Sequence, residues 1–169
     1  MNIRKLAQLS MFTVIAVTIF TIESALPALS PIQGIKLGLA NIVTLVLLLY
    51  YPPKEVLLVL ITRILLSSLI GGQMMTFIYS FCGGILCFLA MTGCNWLLGK
   101  RYIYLTSIIG AIFHNVGQLL AAFLILRSLG ILAYLPILIV SGILTGLFTG
   151  LCAYFFQKKM GGYMKKMLP

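Results

Sequence analysis

Apolar residues run through the sequence in long stretches, separated by short breaks rich in proline, glycine and basic residues. Six of these stretches have a length near the ~20 residues that an α-helix needs to cross about 30 Å of hydrocarbon. The predicted spans are residues 6–24, 35–51, 54–70, 74–98, 104–129 and 133–156. The pattern therefore predicts an all-α membrane protein, a six-transmembrane-helix bundle in which residues 1–169 form a single integral membrane domain.

The breaks carry proline or glycine, which do not continue a helix. Segment 25–34 is apolar but contains Pro27 and Pro31, which predicts a non-helical loop dipping into the outer mouth of the bundle. Arg4 and Lys5 precede the first span as in a signal peptide, yet the apolar run is longer than a usual signal core. We expect the first span to be retained.

Composition and charge support the membrane class. Hydrophobic residues make up 62% of the chain and charged residues 8%, too few for the surface of a soluble domain of this size. The net charge is +10, and nine of the 12 basic residues fall at one predicted membrane face: Arg4, Lys5, Lys54, Lys100, Arg101, Lys158, Lys159, Lys165 and Lys166. The positive-inside rule makes this face cytoplasmic, so we expect both termini in the cytoplasm. Topology and anionic lipid, rather than nucleic acid, explain these cations.

Patterns typical of catalysis are missing from the sequence. It has no aspartate, and its two acids are Glu23 and Glu55, so it lacks the aspartate-rich site that holds diphosphate through magnesium. It also lacks a phosphate-binding loop for ATP. The four cysteines, Cys82, Cys87, Cys94 and Cys152, have no CxxC spacing and are interpreted as small buried apolar residues. We expect a protein that is not an enzyme and has no metal or other cofactor.

Three basic residues lie away from the cytoplasmic face: Lys36, Arg63 and Arg127. Lys36 and Arg127 are near span ends, where their side chains can snorkel to the headgroups. Arg63 is nine residues into the third span, about 13 Å and close to the midplane, where an arginine costs about 2.5–3.5 kcal/mol. Its partner is Glu23, backbone carbonyls, water or a ligand anion, and we favour the ligand.

Further polar residues share this depth. Asn41 is predicted about 9 Å below the outer end of the second span, and His114 and Gln118 lie one turn apart on one face of the fifth. Glu23 and Lys36 are predicted to form a salt bridge at the outer mouth. The alternative is that the uncharged members of this group tie helices together through hydrogen bonds: Asn41, His114, Asn115 and Gln118.

Glycines recur at every fourth position of the last span, at Gly142, Gly146 and Gly150. This spacing gives one nearly flat helix face that can approach another backbone closely. We interpret the face as helix packing within the bundle. Docking onto a separate protein is the alternative.

Four segments of the chain together resemble a known family. They are GIKLGLANIVT at 34–44, LITRILL around Arg63, the small-residue strip at 80–84, and HNVGQ at 114–118. They are similar to heptaprenyl diphosphate synthase component I, also called Gx transporter proteins, a family similar in turn to the substrate-binding S components of energy-coupling factor (ECF) transporters. The resemblance covers nearly the whole chain. It implies a six-helix fold in a bacterial plasma membrane, with a ligand pocket that opens outward and is capped by loops.

The resemblance also implies a docking surface. The first helix of S components often carries an Ala-x-x-x-Ala pattern for docking on a coupling transmembrane subunit driven by two ATPases. The corresponding residues here are Ala7, Ser10 and Met11. Met11 departs from that pattern.

The residues and the resemblance together indicate the membrane-embedded binding component of an uptake system for a small, anionic, partly apolar metabolite, such as an isoprenoid or quinone precursor or a vitamin. The expected substrate-binding residues comprise cations, polar groups that orient the ligand, the nearby acid and two covering aromatics: Lys36, Arg63, His114, Asn41, Gln118, Glu23, Phe77 and Tyr79. The alternative is an accessory membrane subunit of heptaprenyl diphosphate synthesis or quinone-linked redox machinery. A structural scaffold is a third possibility.

Overall fold

The computed structural model describes residues 3–25, 36–72 and 74–167. These residues form the following helices: α1 (Ile3–Ala25), α2 (Asn41–Tyr50), α3 (Pro53–Gly71), α4 (Met74–Leu98), α5 (Ile103–Leu126), a 3₁₀ helix (Leu129–Tyr134) and α6 (Leu135–Met167). The all-helical prediction is confirmed for this part of the chain. The predicted loop at 25–34 lies almost entirely outside the described residues, with Ala25 ending α1.

Four of the six α-helices, α1, α4, α5 and α6, are long and apolar enough to cross a membrane. Helix α3 has 19 residues but carries Lys54, Glu55 and Arg63. Helix α2 has only ten residues, about 15 Å at 1.5 Å per residue, roughly half of the hydrocarbon thickness. The second predicted span, 35–51, is therefore wrong as a continuous helix, because residues 36–40 are not helical.

Helix α2 lies at the centre of the bundle. It contacts α1, α3, α4, α5 and α6, and Asn41 together with every residue from Val43 to Leu49 is buried. A helix that is apolar on all sides can be stable in this position because all its faces meet protein. Its neighbours follow the order α1, α3, α4, α5, α6, each packed against the next.

The C-terminal end of α2 is held by cations. Lys100 Nζ donates a hydrogen bond to the carbonyl oxygen of Leu49 at 2.8 Å, which satisfies a carbonyl that the helix leaves free and complements the negative end of the helix dipole. Beside it, Lys5 and Glu55 form an ion pair at 2.6 Å that joins α1 to α3. The Lys100 bond holds this end of α2 at the predicted cytoplasmic side.

The predicted boundaries of the last two spans are displaced. The fifth helix ends at Leu126 rather than residue 129, and Arg127 follows it as an exposed C-cap residue with φ +48°. The 3₁₀ helix then delays the start of α6 to Leu135, and α6 continues to Met167 rather than residue 156. Arg127 thus lies at a helix end, where a long basic side chain reaches the interface.

The glycine face of α6 packs against α5. A Cβ built on Gly146 would lie 2.5 Å from Ile108 Cα, and one on Gly142 would lie 3.2 Å from Ile112 Cα. Gly150 approaches the Tyr104 backbone in the same way. Since backbone atoms of α5 are among the nearest atoms in each case, the two helices approach each other closely along this stripe.

We expect Gly146→Ala to lower the free energy of unfolding by about 1–3 kcal/mol, because its Cβ would force α5 and α6 apart. Gly93→Ala, in the interior of α4, is the matched control, since a Cβ there meets nothing within 4 Å. Denaturant or thermal unfolding in detergent measures both. Equal stability of the two variants would contradict this packing.

Candidate functional site

Side chains from α1, α3, α4 and α5 meet the segment 36–40 around one small pocket. Its lining comprises Phe20, Glu23, Lys36, Gly38, Ala40, Arg63, Ser80, His114 and Gln118. Their spacing along the chain shows that the fold, rather than any local motif, assembles this site. The room among them is about that of a single water molecule, so a larger ligand enters only when lining residues move.

Arg63 is the most constrained member of the pocket. It lies ten residues after Pro53 in α3 and is only 4% exposed. Its Nη2 donates a hydrogen bond to Asn41 Oδ1 at 3.2 Å, whereas its Nε has no hydrogen-bond partner within the described part of the chain. Arg63 forms no ion pair with either acid of the chain. Among the described residues, the ion pair is the one between Lys5 and Glu55.

Asn41 is the first residue of α2, so the prediction that it lies about 9 Å inside a helical span is wrong. Its bond to Arg63 brings the start of α2 to the level of the middle of α3. The non-helical segment 36–40 therefore enters the bundle to that depth. Irregular backbone is tolerated there because it is surrounded by protein rather than lipid.

Glu23 has a different partner from the one predicted. Its Oε1 accepts the backbone N–H of Gly38 at 2.6 Å and its Oε2 accepts that of Leu39 at 3.0 Å. A carboxylate in this position satisfies donors that no helical carbonyl reaches and complements the positive end of the α2 dipole. Glu23 thereby anchors the segment 36–40 to α1.

Lys36 makes no salt bridge with Glu23 in the described structure. Its Nζ donates to the hydroxyl of Ser24 and lies over the Phe20 ring, 3.7 Å from the ring centroid. In place of the predicted pair, the carboxylate of Glu23 accepts two backbone N–H groups of the segment 36–40. Lys36 instead closes one side of the pocket against α1.

His114 and Gln118 both line the pocket and are 4% and 1% exposed. Gly38 approaches this histidine so closely that a Cβ on it would lie 2.5 Å from His114 Cδ2 and 2.7 Å from Asn41 Nδ2. On the other side, a Cβ on Gly83 would lie 2.9 Å from both His114 and Gln118. Two glycines thus make room for the α5 side chains.

Asn115 belongs to another contact. Its Nδ2 donates to the Leu138 carbonyl at 2.7 Å and to Ser141 Oγ at 3.2 Å, tying α5 to α6. Adjacent residues of α5 therefore have different roles: Asn115 links helices, whereas His114 faces the pocket.

The two aromatic residues expected to cover the ligand lie outside the pocket lining. Tyr79 is buried in a separate apolar cluster with Leu119 and Ala122, and Phe77 stacks on Phe81 with ring centroids 5.9 Å apart; neither lines the pocket. Phe20 does. The depth of Phe20 at the outer end of α1, one turn before Ser24, is the signal that sequence reasoning overlooked.

Gly38 and Ser80 also line the pocket without having been predicted as site residues. Both belong to segments singled out for their resemblance to a family, and that was the available signal. The predicted docking residues Ala7, Ser10 and Met11 are exposed on α1, and the glycine stripe of α6 faces α5. These two sets lie apart from the pocket lining.

The arrangement is suited to holding an anion. Two cationic side chains line the pocket beside one carboxylate whose oxygens are both engaged by backbone N–H groups. Within the described residues no group of three or more histidines, cysteines or acids lies close enough together to hold a metal ion.

Comparison with known proteins gives one match. No curated protein and no solved structure matches the chain. The family model described as heptaprenyl diphosphate synthase component I matches residues 12–156, a range that includes every residue of the pocket. The chain is therefore a membrane protein that belongs to the heptaprenyl diphosphate synthase component I family.

Proposed function

We propose that this protein is the substrate-binding component of an ECF-type uptake system and that it captures a small, anionic, partly apolar metabolite from outside the cell. The observation that carries the proposal is the buried Arg63, whose Nε lacks a partner among the described residues and which forms no direct ion pair with Glu23 of the same pocket. Buried charges in membrane proteins are paired or serve a ligand, because leaving them alone is expensive.

Binding rather than catalysis is favoured by how the two acids are used. Glu23 accepts two backbone N–H groups, and Glu55 pairs with Lys5 at the other end of the bundle. The two acids therefore do not meet in one site, as the carboxylates that hold magnesium on a diphosphate would. The pocket offers charge and hydrogen bonds, which are the means of recognition.

ATP-driven transport requires partners, because the sequence has no phosphate-binding loop. We propose that a coupling membrane subunit and its ATPases supply the energy. The exposed residues Ala7, Ser10 and Met11 on α1 are the proposed docking surface.

The test begins with native mass spectrometry of gently purified protein, where we expect a retained small anion. In proteoliposomes, the protein alone should bind this molecule without accumulating it. Concentrative uptake is expected only after coupling and ATPase subunits and ATP are added. Uptake against a gradient by this chain alone would exclude the binding-component role.

The family description favours a second candidate, an accessory membrane subunit of isoprenoid diphosphate synthesis. In that case the protein should copurify with a soluble prenyl synthase and change its rate or product length. A synthase whose kinetics are the same with and without this protein would remove the second candidate.

A further inference from the structure

We infer that the pocket is built for a single negative charge and that the head of its ligand is a carboxylate-type monoanion rather than a phosphate or diphosphate. This inference rests on the proposed function and specifies the substrate class of the same site. Three observations lead to it: the charge balance of the lining, the engagement of its ions, and the donors that remain.

The pocket lining carries a net charge of one positive unit. Arg63 and Lys36 contribute two cations and Glu23 one carboxylate, with the imidazole of His114 neutral as is usual at pH 7. A monoanion neutralises this lining. A phosphate monoester carries about −1.5 to −2 at pH 7 and would leave a negative charge buried beside Glu23.

The ions are not equally available to a ligand. Both oxygens of Glu23 accept backbone N–H groups, and Lys36 is held between the Ser24 hydroxyl and the Phe20 ring. Arg63 is the cation with an unpartnered N–H in the described structure, at Nε. Arg63 is therefore the cation of the lining with a free N–H to offer a ligand anion.

Two N–H donors without partners lie in or beside the pocket lining, one on Arg63 and one on Asn41. Because Arg63 Nη2 donates to Asn41 Oδ1, the amide of Asn41 must present its Nδ2 elsewhere, and this atom also lacks a partner among the residues described. Gly38 keeps the space beside Asn41 Nδ2 clear of a Cβ. Asn41 does not itself line the pocket, but its Nδ2 lies beside Gly38, which does. This amide N–H and the N–H at Arg63 Nε are donors of the kind that carboxylate oxygens accept.

The experiment compares four probes that share one C10 isoprenyl chain: geraniol, geranic acid, geranyl monophosphate and geranyl diphosphate. Their heads run from neutral to multiply charged while the apolar part stays constant. Dissociation constants are measured by calorimetry on full-length protein in lipid nanodiscs at pH 7.5. We expect geranic acid to bind roughly 30-fold or more tightly than each of the other three.

Two charge variants sharpen the comparison. Glu23→Gln raises the lining to two positive charges and should move the preference toward geranyl monophosphate. Lys36→Gln lowers the net charge of the lining to zero and should bring the affinity for geraniol close to the affinity for geranic acid. If Glu23→Gln fails to fold, the Lys36→Gln protein still tests the inference through the expected loss of preference for geranic acid over geraniol.

The outcomes test the monoanion inference and the proposed function separately. Equal or tighter binding of either phosphate, binding of geraniol equal to that of the acid, or binding of none of the four overturns the monoanion inference. The proposed function falls separately, if native mass spectrometry finds no retained molecule and added coupling subunits produce no uptake.

Discussion

Replacing Arg63 with methionine is expected to weaken ligand binding by about 2–5 kcal/mol while leaving the bundle nearly as stable as before. Methionine removes the cost of about 2.5–3.5 kcal/mol for an arginine near the bilayer centre. It also removes the bond to Asn41, worth about 1.5–3 kcal/mol for a charged group. The two effects on stability oppose each other at similar size, whereas nothing offsets the loss of charge for the ligand.

Arg127→Met is the matched control, because Arg127 is an exposed arginine at the end of α5 and does not line the pocket. Binding of the molecule retained by the wild-type protein and thermal unfolding in nanodiscs are measured on both variants. An Arg63→Met protein that unfolds early and binds normally would show that the polar cluster is scaffold and that the site assignment is wrong.

The second large effect is expected for Gly38→Ala. Gly38 has φ +79°, so a Cβ there costs about 1–2 kcal/mol in backbone strain. It also meets His114 and Asn41 Nδ2 at 2.5 and 2.7 Å, and such overpacking adds about 1–3 kcal/mol. We expect a total loss of about 2–5 kcal/mol in the free energy of unfolding, together with loss of ligand binding.

Gly72→Ala separates the two causes. Gly72 has φ +61°, and a Cβ there meets nothing within 4 Å, so only the strain of about 1–2 kcal/mol applies. Ligand binding should be retained in this control. A Gly38→Ala protein no less stable than Gly72→Ala, and still able to bind, would contradict the close contact between Gly38 and His114.

The fold was largely predictable because the length of an apolar run indicates whether the segment crosses hydrocarbon. Most ends of the helices α1, α4, α5 and α6 lie within a few residues of the predicted span ends. The exception at α2 has a physical reason. Apolar composition is equally compatible with a full span and with a half helix surrounded by protein, since both exclude water, and only tertiary hydrogen bonds decide where the helix begins.

The pocket was predictable in part for a related reason. Charged and amide groups at membrane depth are conspicuous, and Arg63, His114 and Gln118 do meet around one pocket. Their partners were not predictable, because the acceptor for each donor depends on which backbone groups lack bonds. Glu23 was assigned to Lys36 from opposite charge, yet the N–H groups of Gly38 and Leu39 take it. Phe20 and Gly38 act through shape, which residue type alone does not show.

The short central helix has a consequence for biogenesis. Hydrocarbon offers no acceptor for the N–H groups of Gly38 and Leu39, and Glu23 of α1 provides one for each. The unwound turn at the start of α2 can therefore be stable only beside an α1 that is already inserted. We therefore expect the second hydrophobic segment to acquire its final shape after it joins its neighbours, with the pocket forming as a late step of helix assembly rather than during insertion.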